Sequence, residues 1–384
     1  MMNAKTMSRK ATFATALSVA CVLFGWHAGG GFATGNQANQ FYIISGWFGP
    51  VSAVIAMLLL TLTVRQAMIM YNLNGLKTYK QLFEFLYHPL DKLEIIFEIY
   101  FYIMVLMATS ASIAGAGSLF ESSGLISYRA AILLIGVILL ILTMFGSNLV
   151  RKASTVMSVL ILICALSIFI IGISHRTTEI AQIFTAKPDA SQIPRGILKA
   201  FQYAGFQCAC IPTMVTCGRV LRDKSECGRS MWISFAMNAV ALVLSVFVLL
   251  GWRDTYLAIE GGSTIPTLTI CQNMDISALL IAYNICLFLC FISTGVASVF
   301  GFVSRFEDAK LLQKIKSGSV RRMLLSVVIM MISGGISLVG LTNIIKYGYG
   351  YCGYIGIAIV ILPFLTVGVV KNRRKMKDDT YAEL

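Results

Sequence analysis

Ten apolar runs, most of them about as long as a bilayer is thick, leave this chain few ways to fold. They fall at roughly 12–45 (interrupted), 48–64, 93–117, 130–147, 154–174, 196–218, 230–251, 277–303, 323–344 and 349–370. A helix needs about 20 apolar residues to cross the hydrocarbon. A membrane barrel would alternate polar and apolar residues over strands of about 10 residues, and these runs do not alternate. Composition closes the remaining options. Of 384 residues, 57% are hydrophobic and only 12% charged, whereas soluble domains carry about 25% charged residues. So few charges cannot cover a water-soluble protein of this size. The expected class is an all-α polytopic membrane protein with about ten transmembrane helices. No Pro- or Ser-rich linker divides it.

The formal charge of +14 would suggest nucleic acid in a soluble protein. Here its distribution argues for topology. With the connections assigned alternately to two sides, 24 of the 31 Lys and Arg fall on one side and 7 on the other. Basic residues accumulate on the cytoplasmic side of membrane proteins. The expectation is a multi-pass protein of the cell membrane, with both termini cytoplasmic and no nucleic-acid partner. It comprises an N-terminus over 1–11, a single membrane domain over 12–370 and a cytoplasmic tail over 371–384. Arg9 and Lys10 precede the first run as in a signal peptide, but no cleavage site follows and nine more runs do. Most of the ten cysteines lie inside apolar runs and read as small hydrophobes.

The useful anomaly is in the first run. After an apolar stretch to Trp26 comes His27-Ala28-Gly29-Gly30-Gly31-Phe32-Ala33-Thr34-Gly35-Asn36-Gln37. Four glycines within seven residues are poor helix material, and polar side chains follow at mid-membrane depth. Unpaired backbone in lipid costs several kcal/mol per group, so a break there must line a cavity or pack on protein. A broken helix offers amides to an anion and carbonyls to a cation. The glycines could instead form a packing face for another helix, but three consecutive residues cannot share one face. The sixth run carries an echo in Phe201-Gln202-Tyr203-Ala204-Gly205-Phe206-Gln207. Five runs is an odd number, so the sixth must run opposite to the first. Paired interruptions in corresponding spans point to an inverted-repeat transporter, with repeats of about 12–174 and 196–370. Gln202 and Gln207 could alternatively only bridge helices. The outer segment between the seventh and eighth runs, with Gly261, Gly262 and Pro266, is apolar enough to fold back on the protein. The stretch from Thr78 to Leu93 reads as a short interfacial helix.

These residues resemble a known family. The run Gly29 to Gly35, followed by Gln40-Phe41 and Gly49, is similar to the first-span signature of the YkvI-like membrane proteins. That family resembles the amino acid–polyamine–organocation transporters, whose fold is that of LeuT. The likeness extends to Ala114-Gly115-Ala116-Gly117, to Tyr203 through Gln207 and to Ser293-Thr294-Gly295. It implies a 5+5 inverted repeat with helices one and six broken. One departure is Gln37, where the family pattern has an acid; an amide can bind solute but cannot carry a proton.

The resemblance also implies a site. Gly29, Gly30, Gly31, Phe32, Ala33, Thr34, Gly35 and Gln37 from span one would meet Tyr203, Phe206 and Gln207 from span six around a small solute, an amino acid or related zwitterion. A sodium ion is the implied coupling ion, and no other cofactor is expected. Its candidate ligands are the carbonyls of Gly25, Ala28 and Cys290 and the hydroxyls of Ser293 and Thr294. Residues 290, 293 and 294 share one helix face, although the two hydroxyls could bond back to their own helix. His27, an ionisable residue at mid-span, is a candidate for proton coupling. The expected function is secondary active transport by alternating access. The alternatives are a proton-coupled carrier and a small-molecule sensor or receptor subunit. The apolar runs hold no catalytic carboxylate pair, Ser/His set or metal cluster, so no enzyme is expected. Oligomeric state is not legible.

Overall fold

The computed structural model describes residues 12–124, 126–186, 188–221, 223–306 and 312–382. The N-terminus over 1–11, with its basic residues, lies outside them. Each apolar run becomes a helical segment. Span one is Phe13–His27, followed by the short helices Gly30–Ala33 and Asn36–Phe41. Spans two to five are Gly49–Leu73, Glu94–Ser122, Tyr128–Ile141 and Ser147–Ser174. Span six is Gln192–Gln207 with Ile211–Cys217, and spans seven to nine are Lys224–Gly251, Ser277–Phe306 and Gly318–Ser337. Span ten starts at Leu341 and continues into Val369–Ala382. Among the described residues, six helices are long and apolar enough to cross a bilayer alone. A seventh crossing arises if Leu160–Ser174 and Thr177–Thr185, bent by 72°, count as one. Spans one, four and six are shorter or divided.

Three boundaries differ from expectation. Spans four and five are joined by a π-helical turn, Leu142–Gly146, rather than by a loop around Arg151 and Lys152. No proline or left-handed glycine punctuates that stretch. Spans nine and ten part at Leu338–Gly340, earlier than read, because Gly340 takes φ 86°, which a side chain would strain. Lys346 consequently lies within span ten. The charged stretch after residue 370 continues span ten as helix, which runs on to Ala382.

Equivalent spans of the two halves meet one another. Span two packs on span seven, three on eight, four on nine, and one on six. A pseudo-two-fold axis relating two five-helix repeats produces that pairing. Spans one, two, six and seven pack together, and spans three, four, eight and nine form a second group. Spans six and ten touch by backbone. A Cβ on Gly205 would lie 2.1 Å from the Gly353 carbonyl oxygen, and one on Gly353 would lie 2.3 Å from that of Gln202. Gln202 Nε2 donates to the Gly350 carbonyl at 2.8 Å. Only glycine permits such an approach.

The interfacial helix Tyr79–Tyr87 opens on a capping box between Thr78 and Gln81. It buries Leu82, Phe83 and Leu86 and stacks Phe83 on Phe97 of span three, centroids 3.6 Å apart. Lys371 of the last helix donates to the carbonyls of Phe85, Leu86 and His88 at its C-terminal end, at 2.7, 3.2 and 3.1 Å. Glu98 is buried, paired with Arg305 at 2.6 Å and hydrogen-bonded by Tyr102 at 2.6 Å, so its charge is answered where spans three and eight meet.

Gly353→Ala is expected to lower stability by about 1–3 kcal/mol, the usual cost of forcing atoms into a packed interface. Gly334→Ala, where a Cβ meets nothing within 4 Å, should leave the melting temperature unchanged or slightly raised. Thermal unfolding of the two variants checks this.

Candidate solute site at the break in span one

Helical geometry stops where the glycines start. Ala28 ends the first helix with ψ 24°, and Gly29 is extended at ψ −179°. The backbone turns again at Gly35, whose φ of 78° lies in the left-handed region. A Cβ there would also fall 2.4 Å from Thr267 Oγ1, so Gly35 is required twice over.

Most carbonyls of the break are accounted for. That of Gly29 accepts from the amides of Phe32 and Ala33, both at 3.0 Å. That of Gly31 accepts from Thr34 Oγ1 at 2.9 Å, and that of Thr34 from the Thr267 amide at 3.1 Å. The hydroxyl of Tyr283, in span eight, donates to the Ala33 carbonyl, and the thiol of Cys290 approaches that of Ala28 at 3.7 Å. The amides of Gly30 and Gly31 open a new helix and so have no carbonyl one turn back to bond.

A cavity of about 360 Å³ adjoins the break. Gly25, His27, Gly29, Gly30, Gly31 and Gln37 line it from span one, and Phe206 and Gln207 from span six. Ser293 and Thr294 face it from span eight. No Asp, Glu, Lys or Arg is among its lining residues. Phe32, Ala33, Thr34 and Gly35, read as solute ligands, do not line it. The backbone turns them away: Phe32 packs on His27 and Phe169, the carbonyls of Ala33 and Thr34 accept from Tyr283 and Thr267, and Gly35 lies against Pro266 and Thr267. Ala28, Tyr203 and Cys290 also lie behind the wall.

Tyr203 acts through its neighbours. Its hydroxyl donates to Gln37 Oε1 at 3.0 Å and lies 2.8 Å from His27 Nε2. With that proton committed, His27 donates from Nε2, which leaves Nδ1 as a bare acceptor. His27 Nδ1 is buried without a hydrogen-bond partner, and so is Oδ1 of Asn238, which stands beside it in span seven. Asn238 was missed in the sequence, although a lone Asn in an apolar span is itself a signal. Also missed were Phe101, Met104, Val105 and Ala108 of span three, Thr213 of span six and Tyr349 of span ten, which line the rest of the cavity.

The candidate cation ligands gather at one end of this cavity. Ser293 Oγ donates to the Cys290 carbonyl at 3.0 Å. Thr294 Oγ1 lies 3.6 Å from where a Gly29 Cβ would be. The carbonyl of Ala28 meets only the Cys290 thiol here and keeps a lone pair for an ion, whereas that of Cys290 lies inside the continuous helix Ser277–Phe306 and accepts from Ser293 Oγ besides the helix's own amide.

The cavity reaches toward the basic face. Its lining continues along span eight through Ala297 and Ser298 to Gly301, about 12 Å beyond Ser293 at 1.5 Å per residue. A Cβ on Gly301 would meet nothing within 4 Å. On the other face the segment after span seven folds back, burying Ile265 through Cys271. There Asn36 Nδ2 donates to the carbonyls of Ser263 and Thr264 at 3.3 and 2.8 Å and to Thr342 Oγ1 at 2.9 Å. Tyr256 donates to Asn39 Oδ1 at 2.9 Å. The break is therefore sealed on one side and approachable from the side of Arg305.

Comparison with solved structures places this arrangement. The chain superposes on MhsT in complex with L-phenylalanine with a TM-score of 0.61 at 14% identity, covering 96% of this chain and 99% of that one. The fold is that of the LeuT-like transporters. A Na+-coupled sialic acid symporter in a substrate-bound outward-open state matches with a TM-score of 0.57 at 14% identity, over 94% of this chain and 96% of that chain. The manganese transporter of Eremococcus coleocola matches with a TM-score of 0.52 at 12% identity, over 94% and 86%. No family model matches the chain. The uncharacterized membrane protein YkvI of Bacillus subtilis (strain 168) is 29% identical over 140 residues, 35% of this chain. That match spans 40% of the relative's length. The resemblance read from the first-span glycines thus stands. One fold thus serves an L-phenylalanine complex, a sialic acid symporter and a manganese transporter, so the fold alone names no solute.

Gly31→Leu is expected to leave membrane insertion intact while abolishing solute binding, because even a Cβ would fall 2.4 Å from Gln37 Nε2. Binding retained by that variant would remove the break from the site. In a background free of native cysteines, Gly301→Cys should react with a membrane-impermeant thiol reagent applied to the basic face, and Ala33→Cys should not.

Proposed function

We propose that this protein is a secondary transporter of the cell membrane that carries a small zwitterionic solute of the amino-acid class by alternating access. Its termini lie in the cytoplasm, and sodium is the coupling ion. The observation that carries the reading is the uncharged cavity at the break. It presents backbone amides at Gly30 and Gly31, side-chain amides at Gln37 and Gln207, and an aromatic wall at Phe206 and Tyr349. A net charge would find no counter-charge there, and burying an unpaired charge is costly. A zwitterion needs only dipoles: its carboxylate takes the amides of span one, and its amine takes carbonyl oxygens of span six.

Sodium suits the oxygens of Gly25, Ala28, Cys290, Ser293 and Thr294, since hard cations take oxygen ligands. One charge moving inward at 100 mV yields about 2.3 kcal/mol, enough to concentrate a neutral solute well over tenfold. Thermal unfolding in sodium against potassium chloride tests the ion first, because a ligand of the native state raises its apparent stability. A sodium-specific rise absent in Thr294→Val is expected, followed by a further rise with the right amino acid. No sodium effect in the wild type defeats sodium coupling. Tyr203→Ala, which frees Gln37 and His27, should weaken solute affinity more than it alters ion dependence. Solute binding without uptake into vesicles would make the protein a sensor.

Proton coupling is a second reading, favoured by the two orphaned atoms behind the cavity. A proton on His27 Nδ1 would give Asn238 Oδ1 its missing donor. In that case His27→Gln flattens the pH profile of uptake, and an unchanged profile removes the role.

A further inference from the structure

We infer that the basic end of spans two and seven binds the phosphate-bearing headgroup of an anionic phospholipid. A pocket of about 620 Å³ opens there, separate from the solute cavity. Arg65 enters it from span two, and Lys224 and Arg229 from the first turns of span seven. The acid beside them, Asp223, is occupied as the cap of span seven, its Oδ1 accepting from the Glu226 amide at 2.8 Å. The described lining thus holds three cations against one committed carboxylate.

Arg65 is held in place without being neutralised. Gly228 lets its guanidinium lie against span seven, where a Cβ would come within 3.3 Å of Nε. That Nε is buried and has no hydrogen-bond partner. A donor kept from water and given no protein acceptor is costly, and a phosphate oxygen is the acceptor that a guanidinium fork suits best. Trp232, one turn below Arg229 on the same helix, is 49% exposed at the rim. Tryptophan favours the boundary between headgroups and acyl chains. A soluble anion would use the cations but has no use for the indole; a phospholipid uses both. Basic pockets between spans are known headgroup sites.

Spans two and seven belong to the group that carries the broken helix. A lipid joining them therefore stabilises that group as a unit. The test uses the full-length protein in zwitterionic micelles titrated with phosphatidylglycerol, phosphatidylcholine or inorganic phosphate, followed by thermal unfolding. Phosphatidylglycerol is expected to raise the melting temperature saturably, and phosphatidylcholine is not. Each cation beside an anionic headgroup is worth about fivefold in binding, so Lys224→Gln/Arg229→Gln should shift the titration midpoint about 30-fold. Both residues are exposed, so the pair tests the site even where Arg65→Gln fails to fold. Arg253→Gln, on the opposite face, should not shift the midpoint. A double variant that titrates like wild type overturns the site. An equal rise with inorganic phosphate at the same concentration overturns the lipid as its occupant.

Discussion

Everything at the centre of this molecule follows from the cost of unpaired backbone in a low-dielectric slab. Three consecutive glycines end a helix at mid-span, and each exposed peptide group there costs several kcal/mol unless it finds a partner. The partners come from elements distant in sequence: Tyr283 from span eight, Thr267 from the folded-back segment, Cys290 from span eight. The break thus pins parts of both repeats around itself. Gly29, Gly30 and Gly31 themselves line the cavity, so the residues that end the helix also shape its wall.

The same constraint explains why the two sides of the break differ. On the side away from Arg305, Gly35 turns the chain so that Thr34 and Asn36 reach the segment Ser263–Thr267 and Thr342. These are hydrogen bonds between groups from separate repeats, each of modest net worth. Together they form a latch that other contacts could replace. On the basic side, the walls are Ala297, Ser298 and Gly301, small residues that leave space. The two sides of the break thus differ in kind, with hydrogen bonds on one and small residues beside open space on the other.

Much of this was legible in the sequence, and the exceptions are instructive. The break in span one could be read because glycine content is a local property. The counterpart in span six could not. The run Gln202 to Gln207 is helical throughout, and the irregularity comes later: Cys208–Cys210 tighten into a 3-10 turn with dihedrals still in the right-handed region. The cause is Pro212, near the start of the helix that follows. It has no N–H for the Cys208 carbonyl, so the turn before it tightens rather than opens. Span six is thus tightened, not broken, and the expected pair of broken helices is a single one. Phe32 through Gly35 stand outside the cavity lining for a geometric reason. Phe32 and Ala33 end the short helix Gly30–Ala33 on its side away from the cavity, Thr34 caps it and Gly35 turns the chain, and composition does not carry that direction. Gln37 does line the cavity, because the turn at Gly35 brings its side chain back over Gly31.

The residues that the sequence concealed share one property: their meaning depends on a partner. Gly115 reads as a small residue on a helix, yet a Cβ there would lie 2.2 Å from the ring of Phe291, as one on Gly30 would at 2.5 Å. One phenylalanine of span eight therefore fills a slot cut jointly by span one and span three. That slot couples the bundle carrying the break to the helices packed around it. A sideways movement of span one must turn or displace the Phe291 ring, since there is no spare volume on either side. Interiors this closely packed shift between discrete arrangements rather than deforming smoothly. The glycines of span one thus have two separate duties. Gly29 and Gly35 set the backbone path, while Gly30 and Gly31 leave room for Phe291 and Gln37. The first duty shows in the sequence as a helix breaker; the second becomes visible only when the neighbour is known.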